Sequence, residues 1–69
     1  MTPIELQKVE NYFQKKFSNP SINLKPSKSD SEMAEVYISN EFIGTLYRDE
    51  DEGEISYDFN MSIIDIDLE

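Results

Sequence analysis

The chain has 69 residues, enough for one domain with a small hydrophobic core. It contains no cysteine and no histidine, which excludes disulfide bonds, thiolate metal sites and histidine-based catalysis. The net charge of −9 is unevenly distributed, because residues 1–28 carry net +3 and residues 29–69 carry net −12.

The first predicted element is a helix over residues 3–17. Thr2 suits the N-cap, Pro3 suits the first helical position, and Glu5 lies three residues after the cap, which is the capping-box pattern. Apolar residues then recur at spacings of three and four: Leu6, Val9, Phe13 and Phe17. The segment 18–20, Ser-Asn-Pro, ends the helix because the residue before a proline avoids helical geometry.

The remaining segments predict four strands: residues 21–25, 33–39, 42–48 and 54–61. We predict Asn40 and Glu41 as the turn between the second and third strands, since Asn tolerates the left-handed backbone of such turns. Ser39 then faces Phe42. The same register sets Tyr37 opposite Gly44, where the tyrosine ring covers the glycine.

The third and fourth strands are separated by an acidic segment, residues 49–53, which we predict as a five-residue loop. Arg48 then faces Glu54, and Tyr47 faces Ile55. Together the two turns assign one face of the sheet to the core: Ala34, Val36, Ile38, Ile43, Thr45, Tyr47, Ile55, Tyr57, Phe59 and Met61. With the helix covering that face, the sequence predicts an α+β fold: one N-terminal helix packed on a four-stranded antiparallel β-meander.

The opposite face of the predicted sheet is partly apolar. Tyr37, Phe42 and Leu46 fall there on adjacent strands and form a candidate contact patch. The C-terminal segment "SIIDIDLE", here called the tail (residues 62–69), alternates apolar and acidic residues. It fits either a helical turn or a continued strand. Its Ile66 and Leu68 are candidate contact residues as well, because such side chains cover this molecule or contact another.

The segment "AEVYISNEFIGTLYRDEDEGEISYDFNM", with "NPSI" after the helix and a tail ending in "DLE", resembles a family of short bacterial cytoplasmic proteins. The block "EFIG-x-LYRDE" is the most distinctive part. That family is described only as a domain of unknown function. The resemblance covers nearly the whole chain and implies a stand-alone domain, without an activity, ligand or catalytic residue.

The acidic segment has three interpretations: a metal site, a surface that binds a basic partner, or a solvated turn. A calcium loop of the EF-hand type needs an oxygen ligand at its fifth position and glutamate at its twelfth. Counting from Asp49, these positions hold Gly53 and Asn60, so we expect no metal site. The candidate acidic surface comprises Asp49, Glu50, Asp51, Glu52, Glu54 and Asp58.

Catalytic machinery is not expected either. The serines and threonines have no histidine to activate them, and two glycines cannot build a phosphate-binding loop. We expect no enzyme activity and no cofactor. The acidic charge also disfavours nucleic acid and anionic membranes as direct partners. Since residues 1–10 lack the signal-peptide pattern and no run of about 18 apolar residues occurs, we expect a cytoplasmic protein.

The sequence therefore predicts a non-catalytic protein–protein interaction module whose partner is another protein or a second copy of the chain. The alternative is an acidic decoy that imitates nucleic acid and occupies a basic protein surface.

Overall fold

A computed structural model describes residues 1–68. The elements are α1 (Pro3–Lys16), β1 (Ile22–Pro26), β2 (Met33–Ile38), β3 (Glu41–Asp51), β4 (Glu54–Asn60) and a 3-10 turn (Asp65–Leu68). The strands form one antiparallel sheet in the order β1-β2-β3-β4, which confirms the predicted α+β fold. Within the tail, Asp65–Leu68 form the 3-10 turn, and Glu69 lies outside the described residues. Over residues 1–68, no helix has the length and apolar character needed to cross a membrane.

Helix α1 begins with the predicted capping box. The Thr2 hydroxyl accepts a hydrogen bond from the Glu5 amide, and the Glu5 carboxylate accepts one from the Thr2 amide, each at 3.1 Å. These two bonds satisfy amide groups that have no partner inside the helix. The helix ends at Lys16, one residue earlier than predicted, and Ser18 continues the chain with a left-handed backbone (φ 50°).

The helix lies nearest to the edge strand β1. Gln14 Nε2 donates to the Ile22 carbonyl oxygen at 2.9 Å, and Glu10 Oε2 accepts from the Leu24 amide at 2.9 Å. Edge strands expose backbone groups that can pair with another chain. Two helix side chains therefore occupy two of the outer hydrogen-bonding groups of β1.

The core lies between α1 and the first three strands. Seven apolar residues are buried there: Val9, Phe13, Ile22, Leu24, Ala34, Val36 and Leu46. This small number of buried side chains is expected for a chain of this length. The core of such a chain rarely contributes more than about 3–5 kcal/mol of net stability.

The turn between β2 and β3 is Ser39-Asn40, so the predicted Asn40-Glu41 turn is wrong by one residue. Both turn residues have positive φ angles, 49° and 70°, as the two-residue hairpin turns that match strand twist require. Tyr37 consequently pairs with Phe42. A bulge between Val36 and Tyr37 then shifts the register, and Val36 faces Gly44.

The turn between β3 and β4 is Glu52-Gly53, with φ angles of 53° and 80°, so the predicted five-residue loop is also wrong. Asp51 pairs with Glu54, and Arg48 pairs with Tyr57. The strands pair through the acidic segment because a two-residue turn continues their backbone hydrogen bonds. Repulsion between exposed carboxylates costs less than losing that pairing.

From Gly44 onward both register errors shift the pairing by an odd number of residues, which turns this part of β3 over. Phe42 and Ile43, on the other side of the bulge, keep their predicted faces, and so do β2 and β4. Thr45 and Tyr47 are therefore on the outer face instead of the core face. Leu46, predicted on the outer face, is buried in the core with 1% of its surface exposed. The predicted core positions Ile55 and Met61 are exposed as well.

Gly44 is covered by Phe59, and not by Tyr37 as predicted. A Cβ atom on Gly44 would lie 2.4 Å from the Asn60 carbonyl oxygen and 2.8 Å from Phe59 Cε1. Only glycine allows β4 and its aromatic ring to approach β3 this closely.

Candidate functional site

A polar cluster joins the start of α1 to β3 and β4. Arg48 Nε donates to Glu5 Oε2 at 2.7 Å, and the Tyr57 hydroxyl donates to the same oxygen at 2.7 Å. The Arg48 guanidinium also donates to Glu32 at 2.9 Å and to Glu50 at 3.3 Å. The sequence analysis missed this cluster because its register placed Arg48 on the outer face.

These contacts shift the pKa values in the cluster. The Thr2 amide, the Tyr57 hydroxyl and the Arg48 guanidinium stabilise the charged carboxylate and lower the pKa of Glu5 to about 2. Hydrogen bonds to Glu5 and Glu32 raise the pKa of Arg48, and the bond to Glu5 raises the pKa of Tyr57. A general acid or base that works at neutral pH needs a pKa near 7, whereas the contacts in this cluster move the pKa values of Glu5, Arg48 and Tyr57 away from 7. The cluster fastens the helix to the sheet.

The predicted acidic surface lies mostly on a ribbon that projects beyond the rest of the sheet. Because β2 begins at Met33, opposite Tyr47, residues 49–56 of β3 and β4 pair only with each other. We call this two-stranded extension the acidic ribbon. It carries Asp49, Glu50, Asp51, Glu52 and Glu54, whereas Asp58 lies at its base, opposite Tyr47 on the outer face.

Charges on the acidic ribbon are close to one another. Asp51 lies directly opposite Glu54, and like charges at such positions destabilise a strand pair. Glu50 contacts Arg48 at 3.3 Å. In the part of the chain that the structure describes, no group of three carboxylates converges as a metal site would require.

The predicted outer patch is reduced to two aromatic residues. Tyr37 and Phe42 are paired neighbours with ring centroids 5.7 Å apart in an edge-to-face arrangement. Lys25 Nζ lies 4.6 Å from the centroid of the Tyr37 ring, and the hydroxyl of that tyrosine donates to Glu35, which raises the Tyr37 pKa. Leu46 is buried, so it makes no part of this surface.

An apolar groove opens between α1 and β4, and we call it the α1–β4 groove. From the helix side and the β4 side it is lined by aromatic residues and a methionine: Tyr12, Phe13, Phe17, Tyr57, Phe59 and Met61. Apolar residues of the first three strands also line it: Ile22, Val36, Ile38, Ile43 and Leu46. The rings of Phe13 and Phe59, 5.5 Å apart and edge to face, divide it into two sections. The section beside Phe17, about 190 Å³, is lined entirely by apolar residues. The section of about 390 Å³ on the other side is also mostly apolar and includes Lys8.

The groove follows from the widths of the two layers. Four strands about 4.8 Å apart are about 19 Å wide, whereas a helix with its side chains is about 10 Å across. Since α1 lies nearest to β1, it leaves the core-facing side of β4 partly uncovered. The sequence placed Phe59 and Met61 beneath the helix and Phe17 on the helix face that covers them. Comparing these widths would have indicated that one helix cannot cover them all.

The tail leaves β4 beside the start of β3. Ile63 and Leu68 line a depression together with Phe42 and Ile43. Asp67 closes the turn, because its carboxylate accepts from the Ile64 amide at 3.2 Å and its own amide donates to the Ile64 carbonyl at 2.9 Å. The apolar tail side chains remain 59–74% exposed: Ile63, Ile64, Ile66 and Leu68.

The structure thus brings Tyr37 and Phe42 together, removes Leu46 from the surface, and leaves Ile66 and Leu68 open to solvent.

No curated protein and no solved structure matches this chain. A family described as "Protein of unknown function (DUF3126)" matches residues 5–67. The match extends from Glu5 of the capping box, through all four strands, to Asp67 of the 3-10 turn. It confirms the predicted resemblance to a family of unknown function. The chain belongs to the family of proteins of unknown function DUF3126.

Proposed function

We propose that the chain is a non-catalytic protein–protein interaction module that acts in the bacterial cytoplasm. The observation that carries this proposal is the α1–β4 groove, an open apolar surface on a domain with few buried side chains. Open apolar surfaces in contact with water are costly, and on small domains they mark sites where another molecule binds.

The polar groups support a non-catalytic function. The strongest pKa shifts belong to Glu5 and Arg48, which bond to each other and join the helix to the sheet. Both groups are used in holding the fold together. The groove itself offers aromatic and aliphatic side chains, which suit recognition better than proton transfer.

The experiment compares the wild-type chain with Phe17→Ser, which changes a half-exposed side chain at the end of the groove. The matched control is Ile4→Ser, an exposed residue on the opposite side of the same helix. We expect the wild type and the control to bind a specific protein or a second copy, and Phe17→Ser to lose that binding. A monodisperse 8.1 kDa monomer at high concentration, with no specific partner captured, would contradict the proposal.

The acidic ribbon favours a second candidate function, the acidic decoy. Its carboxylates project on a narrow arm, and the repulsion between Asp51 and Glu54 would be relieved by a cationic partner. As a decoy, the ribbon would occupy the basic cleft of a nucleic-acid-binding protein. Binding should then weaken steeply with salt, because exposed charges are screened.

The two functions respond to different variants. Neutralising the ribbon with Asp49→Asn, Glu50→Gln, Asp51→Asn and Glu52→Gln would abolish decoy binding but leave groove binding unchanged. Capture of basic proteins by Phe17→Ser but not by the neutralised ribbon would put the decoy function first.

A further inference from the structure

One chain carries two apolar surfaces that are both open. The α1–β4 groove is one, and the apolar side of the tail is the other. Their shapes fit, because the tail is a narrow segment of the kind that a groove can accept. The turn in the tail is already closed by the two hydrogen bonds between Ile64 and Asp67. A preformed turn loses less conformational freedom when it binds.

The charges of the two surfaces are opposite. Lys8 lines one section of the groove, and Lys16 precedes Phe17 at the end of the other. The tail carries Asp65 and Asp67 between its apolar residues. When the apolar side chains enter the groove, the tail carboxylates come to the side lined by helix lysines.

The groove does not take the tail of its own chain in this structure. Met61, the last residue before the tail, already lines the end of the groove. The chain then turns beside Phe42 and Ile43 on β3, where Ile63 and Leu68 line the same depression. To enter its own groove, the tail would have to reverse direction directly after Met61. A tail arriving from another molecule needs no such reversal.

A two-fold symmetric dimer would cover the groove and the apolar side of the tail in both molecules. If each tail fills the groove of the other copy, the contact is reciprocal, and the assembly closes at two chains. We infer that the α1–β4 groove binds the tail of a second copy of this chain in a reciprocal homodimer. The inference rests on the proposed interaction function and names its partner.

The first experiment measures the mass of the full chain in solution by sedimentation equilibrium over a range of concentrations. We expect a dimer for the wild type. The tail variant Ile66→Ser/Leu68→Ser should raise the dimer dissociation constant about a hundredfold or more, since it removes two large apolar groups from the contact. The control Ile4→Ser should dimerise as the wild type does. Equal dimerisation by the tail variant would overturn the inference.

A charge exchange tests the orientation of the tail. Lys8→Glu/Lys16→Glu and Asp65→Lys/Asp67→Lys should each weaken the homodimer, because each variant places like charges together. A mixture of the two variants should form heterodimers, because both tail–groove contacts then pair opposite charges: the acidic groove of one variant meets the basic tail of the other, and the basic groove meets the acidic tail. Combining all four substitutions in one chain should restore dimerisation, and absence of restoration would count against the proposed orientation.

Cross-linking distinguishes a second copy from the chain's own tail. Because the chain has no cysteine, Phe17→Cys and Leu68→Cys introduce single thiols. We expect an unlabelled Phe17→Cys chain and an isotope-labelled Leu68→Cys chain to form a mixed disulfide dimer. A bond that forms only within the double variant would show that the groove takes its own tail, and would overturn the inference.

The same variants separate this inference from the proposed function. If the chain stays monomeric but Phe17→Ser loses binding to a different purified protein, the interaction function stands and the homodimer is wrong. If no groove-dependent binding of any kind is found, both are wrong.

Discussion

Glu5 Oε2 accepts a hydrogen bond from the Tyr57 hydroxyl at 2.7 Å, although the two residues are 52 positions apart in the chain. The other carboxylate oxygen of Glu5 accepts from the Thr2 amide at the start of α1. A single side chain therefore caps the helix and attaches it to β4, so the protonation of Glu5 affects both contacts.

The stability of the fold should depend on the protonation of Glu5. Its pKa is about 2 in the folded chain, below its ordinary value of 4.5. A lowered pKa stabilises the fold fully above pH 4.5, and this contribution is lost as the pH falls from 4.5 through 2. Glu5→Gln should lower the melting temperature at pH 7, and the difference from the wild type should shrink over that interval.

Circular dichroism melts between pH 2 and pH 7 measure this difference. Glu41→Gln is the matched control, since it removes an equal charge from an exposed residue. The difference in melting temperature between Glu41→Gln and the wild type should not shrink over this pH interval in the way that the Glu5→Gln difference does. A Glu5→Gln difference that stays constant with pH would show that the carboxylate charge is unimportant.

Gly44→Ala should destabilise the domain by about 1–3 kcal/mol, the usual cost of overpacking a tight contact. The added Cβ atom would lie 2.4 Å from the backbone oxygen of Asn60, and backbone atoms cannot move aside cheaply. Urea denaturation measures the change. Thr45→Ala, next in sequence but on the outer face, serves as the control. Unchanged stability of Gly44→Ala would mean that β4 is not held this close to β3.

Phe13→Ala should leave the domain largely unfolded. Phe13 is buried in the core and contacts the rings of Phe17 and Phe59. Replacing a buried phenylalanine by alanine costs about 3–5 kcal/mol, which is comparable to the whole stability expected for a core of this size. A thermal melt followed by circular dichroism tests this, with Ile4→Ala as the exposed control. A cooperative melt near that of the wild type would contradict the position of α1.

Neutralising Asp49, Glu50, Asp51 and Glu52 with Asn and Gln should preserve or slightly raise stability. The change removes repulsion between exposed carboxylates together with the single Arg48–Glu50 contact, and each such exposed pair contributes less than about 1 kcal/mol. Millimolar calcium or magnesium should leave the melting temperature of both versions nearly unchanged. A specific site would instead stabilise the wild type by about 2.7 kcal/mol at a hundred times its dissociation constant. A large shift seen only in the wild type would assign these residues to a metal site.

The fold class was predictable because local signals determine it. The capping box at Thr2 and Glu5 and the apolar spacing through Phe13 define the helix, and both are readable without tertiary contacts. The alternation along β2 and β4 likewise identified the core-facing Val36 and Phe59.

The register of β3 was not predictable in the same way. It depends on Ser39 and Glu52 adopting positive φ angles, which neither residue type favours strongly, and on a bulge after Val36. The Ser39-Asn40 turn and the bulge together shift the β2–β3 pairing by an odd number of residues, and the Glu52-Gly53 turn does the same to the β3–β4 pairing. Arg48 and Leu46 therefore exchange faces with Thr45 and Tyr47. The polar cluster and the loss of Leu46 from the outer patch both follow from that exchange.

The hydrogen bonds from Gln14 and Glu10 to β1 make the two edges of the sheet chemically unequal. Strand β4, at the opposite edge, pairs with β3 on one side only. If two copies joined edge to edge through β4, the resulting eight-stranded sheet would end in a β1 strand at both sides. Both terminal strands would already have helix side chains on their outer backbone groups. Further strand addition would therefore be disfavoured after that one step, which works against fibril growth.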